Sequence, residues 1–120
     1  MTEFLSLEDL LGLIADLGTG PVRDVGLLES AAHRPTTRLW GHEAYPTLDE
    51  KAAALLQSVV GNHALVDGNK RLGWLAAVVL YAINGVELDA PDDDAFTLVM
   101  RVAADAIELD EVTACLARWH

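Results

Sequence analysis

Positive charge is what this sequence has least of: eight Lys and Arg stand against 19 Asp and Glu, a formal net charge of -11 at pH 7. Such a chain is repelled by phosphate backbones and anionic lipid heads, which excludes non-specific binding to nucleic acid or to an acidic membrane surface. The one cysteine, Cys115, cannot close an internal disulfide and falls in a helical apolar pattern, so it reads as a small buried thiol in a reducing compartment. Prolines number only four while 52% of residues are hydrophobic, a balance that excludes a disordered chain. No basic stretch precedes an apolar run near Met1, so the N-terminus does not read as a secretory signal. The longest apolar run, Leu72 to Ile83 with Gly73 inside it, falls short of the roughly 20 residues a membrane span requires. The expectation is a cytoplasmic protein without a membrane span or direct nucleic-acid binding. Strand-like alternation, internal repeats and linkers are missing too, and 120 residues suit a single domain over residues 1–120.

What is present is helical periodicity. Leu7, Leu10, Leu11, Ile14 and Leu17 share one helical face, with Ser6 and Asp9 as a capping pair and Gly18 to Pro21 as the stop. Asp24 can cap a short second helix carrying Val25, Leu28, Ala31 and Ala32, which Arg34-Pro35 ends. A polar loop runs to Pro46. Thr47 to Glu50 has the capping-box form, and Leu48, Ala52, Leu55 and Val59 follow on one face, delivering His63 at the end of a third helix. A fourth helix runs from Asn69 to Asn84-Gly85 and is apolar on nearly every side. Asp92, Asp93 and Asp94 introduce a fifth, with Phe96, Val99, Met100 and Ala103 on its face, and a sixth carries Val112, Cys115, Leu116 and Trp119. The architecture expected is an all-α, single-domain bundle of about six helices, with the loop between helices three and four as its point of interest.

That loop, His63-Ala64-Leu65-Val66-Asp67-Gly68-Asn69-Lys70-Arg71, sets an imidazole, a carboxylate, an amide, an ammonium and a guanidinium next to a helix start. Unpaired N–H groups and the helix dipole make such a start attractive to phosphate, and Gly68 lets the backbone come close to a ligand. Arg71 can fork onto phosphate oxygens and Lys70 adds a mobile charge. Two cations at a helix N-terminus oppose the dipole, a conflict that a bound anion resolves. Asp67 offers the hard oxygen that Mg²⁺ favours, and a histidine at position 63 is suited to take a proton from an attacking hydroxyl. The set suffices for phosphoryl or nucleotidyl transfer.

Each residue also has a plainer reading. His63 can end a helix, Asp67-Gly68 can be a turn, Asn69 a cap, and Lys70-Arg71 a solvated pair. His33, His42 and His120 share no metal-ligand spacing and read as surface residues, and Asp89 with Asp92 to Asp94 reads as a helix entry. Trp40 and Tyr45, in the loop after the second helix, are either core plugs or a contact surface.

The segment from His63 to Arg71 resembles the signature of the Fic/Doc superfamily, His-Pro-Phe-x-(Asp/Glu)-Gly-Asn-Gly-(Arg/Lys), and its Asn69-Lys70-Arg71 ending is that of the Doc, or death-on-curing, toxin branch. Ala64 and Leu65 depart from the proline and phenylalanine, exchanging one apolar anchor for another. Gly68 keeps the general residue where some Doc proteins have alanine. The resemblance implies His63 as general base, Asp67 as Mg²⁺ ligand, Asn69 as phosphate-orienting amide with Gly68 beside it at the phosphates, and Arg71 as phosphate clamp. Lys70 stands where nucleotidyl-transferring members have glycine, and in Doc proteins that change goes with transfer of the γ-phosphate of ATP to a threonine of elongation factor Tu. The reaction implied is thus that of a Mg²⁺-dependent protein kinase that blocks translation. Transfer of AMP is the alternative, and a catalytically idle module that binds an antitoxin is a third. No stretch matches the family's inhibitory helix, (Ser/Thr)-x-x-x-Glu-(Gly/Asn), so the resemblance implies a separate, Phd-like antitoxin. Its folding on the toxin needs an apolar groove, which the Trp40/Tyr45 loop is expected to supply.

Overall fold

Side-chain capping opens three of the six helices in the computed structural model, which describes residues 1–120. Ser6 and Asp9 form a reciprocal capping box at the start of α1 (Leu7–Leu17), and Gly18, at φ 66°, ends it. Asp24 accepts from the Leu27 N–H to open α2 (Val25–His33). Thr47 accepts from the Glu50 N–H at the start of α3 (Leu48–Asn62), but Glu50 takes the Thr47 hydroxyl rather than the main chain, so the expected box closes on one side only. Next come α4 (Asn69–Ile83), α5 (Asp92–Ala103) and α6 (Leu109–Ala117). The all-α bundle of six helices is as the sequence implies, and no helix is long and apolar enough to cross a membrane.

α3 is the axis of the bundle, packed against α4 and α6 with α2 and α5 flanking it. The sequence assigns it one apolar face; the structure buries it nearly all round, from Lys51 to Leu56 and from Ser58 to Val60. It meets α4 at Gly73, where an added Cβ would lie 2.5 Å from a Val60 methyl, so only glycine lets the two helices pack there. Leu72, Ala76, Ala77, Leu80 and Tyr81 of α4 complete that seam. Burying one leucine-sized side chain is worth about 2 kcal/mol, and the seam contains several.

The polar loop before Pro46 contains a turn of 3-10 helix (Arg34–Thr36) and a small antiparallel hairpin, β1 (Arg38–Leu39) and β2 (His42–Glu43), with Arg38 opposite Glu43. Two cations fasten it to α3. Arg34 donates to the Tyr45 hydroxyl, the Ala54 carbonyl, Gln57 and Ser58. Lys51, only 1% exposed, donates to the Tyr45 and Pro46 carbonyls and pairs with Glu43 at 3.2 Å. The two aromatics of the loop part company: Tyr45 is held by Arg34, while Trp40 at the hairpin tip is 97% exposed.

The face assigned to α5 is corrected. Ala95, Leu98, Val99 and Val102 pack inward, and Phe96 and Met100 point outward. The two stripes lie one residue apart and are both apolar, so periodicity alone does not rank them. Val25 likewise faces solvent on α2. His120, read as a free surface residue, meets Asp49 at 2.6 Å and tilts over the Tyr81 ring.

Candidate active site

α3 releases the chain at His63, whose left-handed backbone (φ 54°, ψ 44°) turns it into the loop. Ala64 and Leu65 then plunge into the core, 3% and 2% exposed, so the two residues that depart from the family signature do anchor the loop. Leu65 also pairs as an isolated antiparallel bridge with Val22 in the segment between α1 and α2. Around that bridge the Arg23 and Asp24 N–H groups donate to the Ala64 carbonyl, Val66 donates to Pro21, and Gly20 donates to Asp67. The Gly20-Pro21 peptide is cis. Asn69 clasps the loop from the other side: its amide oxygen accepts from the Leu65 N–H at 3.0 Å and its amide nitrogen donates to the Leu65 carbonyl at 2.9 Å.

Gly68 precedes α4 with φ 95°, and an added Cβ would lie 2.5 Å from the Thr19 side chain. Crowding by Thr19, together with the left-handed backbone, is therefore the structural reason for glycine here. The contribution of Thr19 to Asp24 carries no motif, and the sequence marks Gly18 to Pro21 only as a helix stop. Arg23 belongs with them, since its guanidinium holds the His63 carbonyl through two N–H groups.

These constraints gather the six candidate site residues around one open cavity of about 320 Å³: His63, Asp67, Gly68, Asn69, Lys70 and Arg71, with Val60, Val66 and Ala103 as apolar walls. The N–H groups of Asn69, Lys70 and Arg71 donate to no main-chain acceptor, and no side chain caps α4. Six of the eight basic side chains are held within the fold: Arg23 and Arg34 as described, Arg38 on the Gly41 carbonyl, Lys51 in its buried clamp, Arg101 on Glu111, and Arg118 on the Cys115 sulfur. Lys70 and Arg71 are the two without a partner. A helix N-terminus with free amides and unpaired cations presents concentrated positive potential, suited to a polyanion.

Asp67 uses its main chain to hold Gly20, which leaves its carboxylate free at the cavity. No group of three or more His, Cys, Asp or Glu side chains is placed to hold a metal. One free carboxylate beside a phosphate-attracting helix start fits Mg²⁺ held jointly by a side chain, substrate phosphates and water, and does not fit an all-protein cage.

A second cavity, about 480 Å³ and apolar, adjoins the first and shares Lys70 and Arg71 with it. Leu17 of α1, Trp74 and Leu75 of α4, and Phe96, Val99 and Met100 of α5 line it. It is this groove, between α1, α4 and α5, that exposes apolar surface beside the site; the Trp40/Tyr45 loop does not line it.

A family model described as "Fic/DOC family" matches residues 3–81. "Toxin Doc" of Mycolicibacterium smegmatis is 51% identical to this chain over 121 residues, covering 98% of the chain and 93% of that protein.

Proposed function

Because the chain belongs to the Doc branch of the Fic/Doc family, we propose that it is the toxin of a toxin–antitoxin pair and acts as a Mg²⁺-dependent protein kinase. The observation that carries this reading is the pair Lys70 and Arg71, the two unpartnered cations, set at the uncapped start of α4 in the cavity that also holds His63 and Asp67. The family resemblance names the acceptor, a threonine of elongation factor Tu, and phosphorylation there blocks translation.

In this mechanism the free N–H groups of Asn69 to Arg71 and the Arg71 fork take the phosphates of ATP. Asn69 holds the loop's shape and Gly68 keeps it close to Thr19. Asp67 would hold a magnesium ion, which would supply neutralisation of phosphate charge. His63 accepts the proton of the acceptor hydroxyl as its oxygen bonds to the γ-phosphorus. The bond from γ-phosphorus to the bridging oxygen breaks and ADP leaves, its charge met by Arg71 and Lys70. Lys70 fills space that a glycine leaves open for the phosphates of an AMP-transferring pose, which favours phosphoryl over nucleotidyl transfer.

The regulator in this reading is a separate, Phd-like antitoxin. The apolar groove of Leu17, Trp74, Phe96 and Met100 supports it, because an amphipathic helix lying there would cover Lys70 and Arg71 at the shared edge.

Incubation with Mg²⁺, a lysate and ATP labelled on either the α- or the γ-phosphate tests the chemistry. Label should move from the γ position only, and His63→Ala should lose transfer by about 10²- to 10⁴-fold with nucleotide affinity kept. Transfer of the α-label identifies the AMP transferase instead. No transfer of either label, with the antitoxin still bound, leaves the idle binding module.

A further inference from the structure

We propose that Arg23, which lies outside the motif and 40 positions from its partner, is a positioning residue that sets the direction of His63. The inference rests on the reading of His63 as the base. His63 is one of three non-glycine residues with positive φ, the others being Trp40 at the hairpin tip and Asp105 after α5. A side chain in that region needs its surroundings to keep it there.

The surroundings are supplied from one residue. The Arg23 Nε donates to the His63 carbonyl at 3.1 Å and a terminal guanidinium nitrogen donates to the same oxygen. The Arg23 main-chain N–H donates to the next carbonyl, Ala64, at 2.7 Å. Arg23 therefore grips two consecutive peptide planes, those on either side of Ala64, and fixes the ψ of His63 from outside the loop. The backbone angles of a residue decide where its Cβ points. With the His63 carbonyl released, the residue can relax towards right-handed helix, continuing α3 and swinging the imidazole away from Asp67 and Arg71.

Guanidinium suits this task better than ammonium, because its planar fork places two N–H groups on one oxygen with little loss of side-chain freedom. The charge also lies at the C-terminal end of α3, where the helix dipole favours a cation. The anchor is independent of the phosphate cavity: Arg23 does not line it, whereas Lys70 and Arg71 do. Loss of Arg23 should thus act on turnover and spare nucleotide binding.

The test uses the full chain with Arg23→Ala and Arg23→Lys, reading the ¹³Cα and ¹³Cβ shifts of His63, which report its backbone region without any reaction. In Arg23→Ala these shifts should leave their left-handed values, kcat should fall at least 10-fold, and the KM for ATP should stay within about twofold. Arg23→Lys, which keeps the charge and one donor nitrogen, should recover part of both signals, and it serves as the folded variant if the alanine form does not fold. Left-handed His63 shifts retained in Arg23→Ala, or in a folded Arg23→Lys at a wild-type rate where alanine is unfolded, overturn the proposal. Should the wild-type protein transfer no phosphate, the kinase reading fails, and the His63 shifts still decide what Arg23 does.

Discussion

Arg34 and Lys51, on one side of α3, spend their donors on carbonyls, a phenol, an amide and a hydroxyl of their own chain. Lys70 and Arg71, at the start of α4, spend none within the chain. The first pair sits where the fold needs cations, closing the hairpin loop onto a helix that has no free face. The second sits where the fold is better off without them, since cations at a helix N-terminus are disfavoured by the dipole. In a protein of net charge -11, this difference separates cations held by the fold from unpartnered ones more sharply than exposure does: Arg23 is exposed and yet holds the fold.

The widest separation is expected from Arg71→Ala. On the proposed mechanism the loss of this charge should lower kcat by on the order of 10²- to 10³-fold, equivalent to about 3–4 kcal/mol of barrier. Thermal stability should stay level or rise slightly, because an unfavourable dipole contact worth about 0.3–1 kcal/mol is lost. A melting point several degrees lower would place Arg71 with the structural cations and break the comparison.

The mirror experiment is Lys51→Met, which keeps most of the side-chain volume and removes the donors. Two carbonyls, those of Tyr45 and Pro46, lose their partner, and at about 1–3 kcal/mol for each buried unpaired group the net loss should be about 3 kcal/mol. For a chain of this size that is a fall in Tm on the order of 10 °C. Turnover per folded molecule should be retained. A large kcat defect in a fully folded Lys51→Met protein would show that the hairpin clamp reaches the site.

The same contrast explains how much the sequence could reveal. Helix starts at Ser6, Asp24 and Thr47 were legible because capping acts over three residues. The grouping of the candidate site residues in one cavity was legible because they are contiguous from His63 to Arg71. Arg23, Thr19 and Val22 were not, since each acts across some 40 or more positions and carries no pattern of its own. Lys51 was hidden for another reason: a lysine in a helix is read as solvated, and nothing local announces carbonyls from Tyr45 and Pro46 folding back over it. The buried stripe on α5 lies one residue away from the expected one because the helix carries two apolar stripes, and the larger residues Phe96 and Met100 belong to the exposed one. Their exposure is what the groove beside Lys70 and Arg71 is made of.

The smallest expected effect concerns a third polar cluster, buried but without a cation's full charge, and it tests whether satisfied groups in this fold act through protonation state. Tyr81 is fully buried on α4 and donates its hydroxyl to Asp49 Oδ1 at 2.6 Å, the oxygen that His120 also meets. Burial, then the bond to Asp49, then that carboxylate's negative charge push the Tyr81 phenol far above the ordinary tyrosine range. In the unfolded chain the phenol ionises near pH 10, as tyrosines do. The unfolded state then releases a proton that the folded state keeps, so the stabilising contribution is complete below about pH 10 and is lost as pH rises from there towards the folded value. Tyr81→Phe should cost about 1 kcal/mol at neutral pH through the lost hydrogen bond. It should also lose less stability than wild type between about pH 9 and pH 11, so the two Tm curves converge as pH rises. Lysine titration affects both proteins alike and drops out of the difference. Parallel curves over that interval would mean that the Tyr81 phenol ionises within the fold as readily as outside it, and that its bond to Asp49 contributes packing alone.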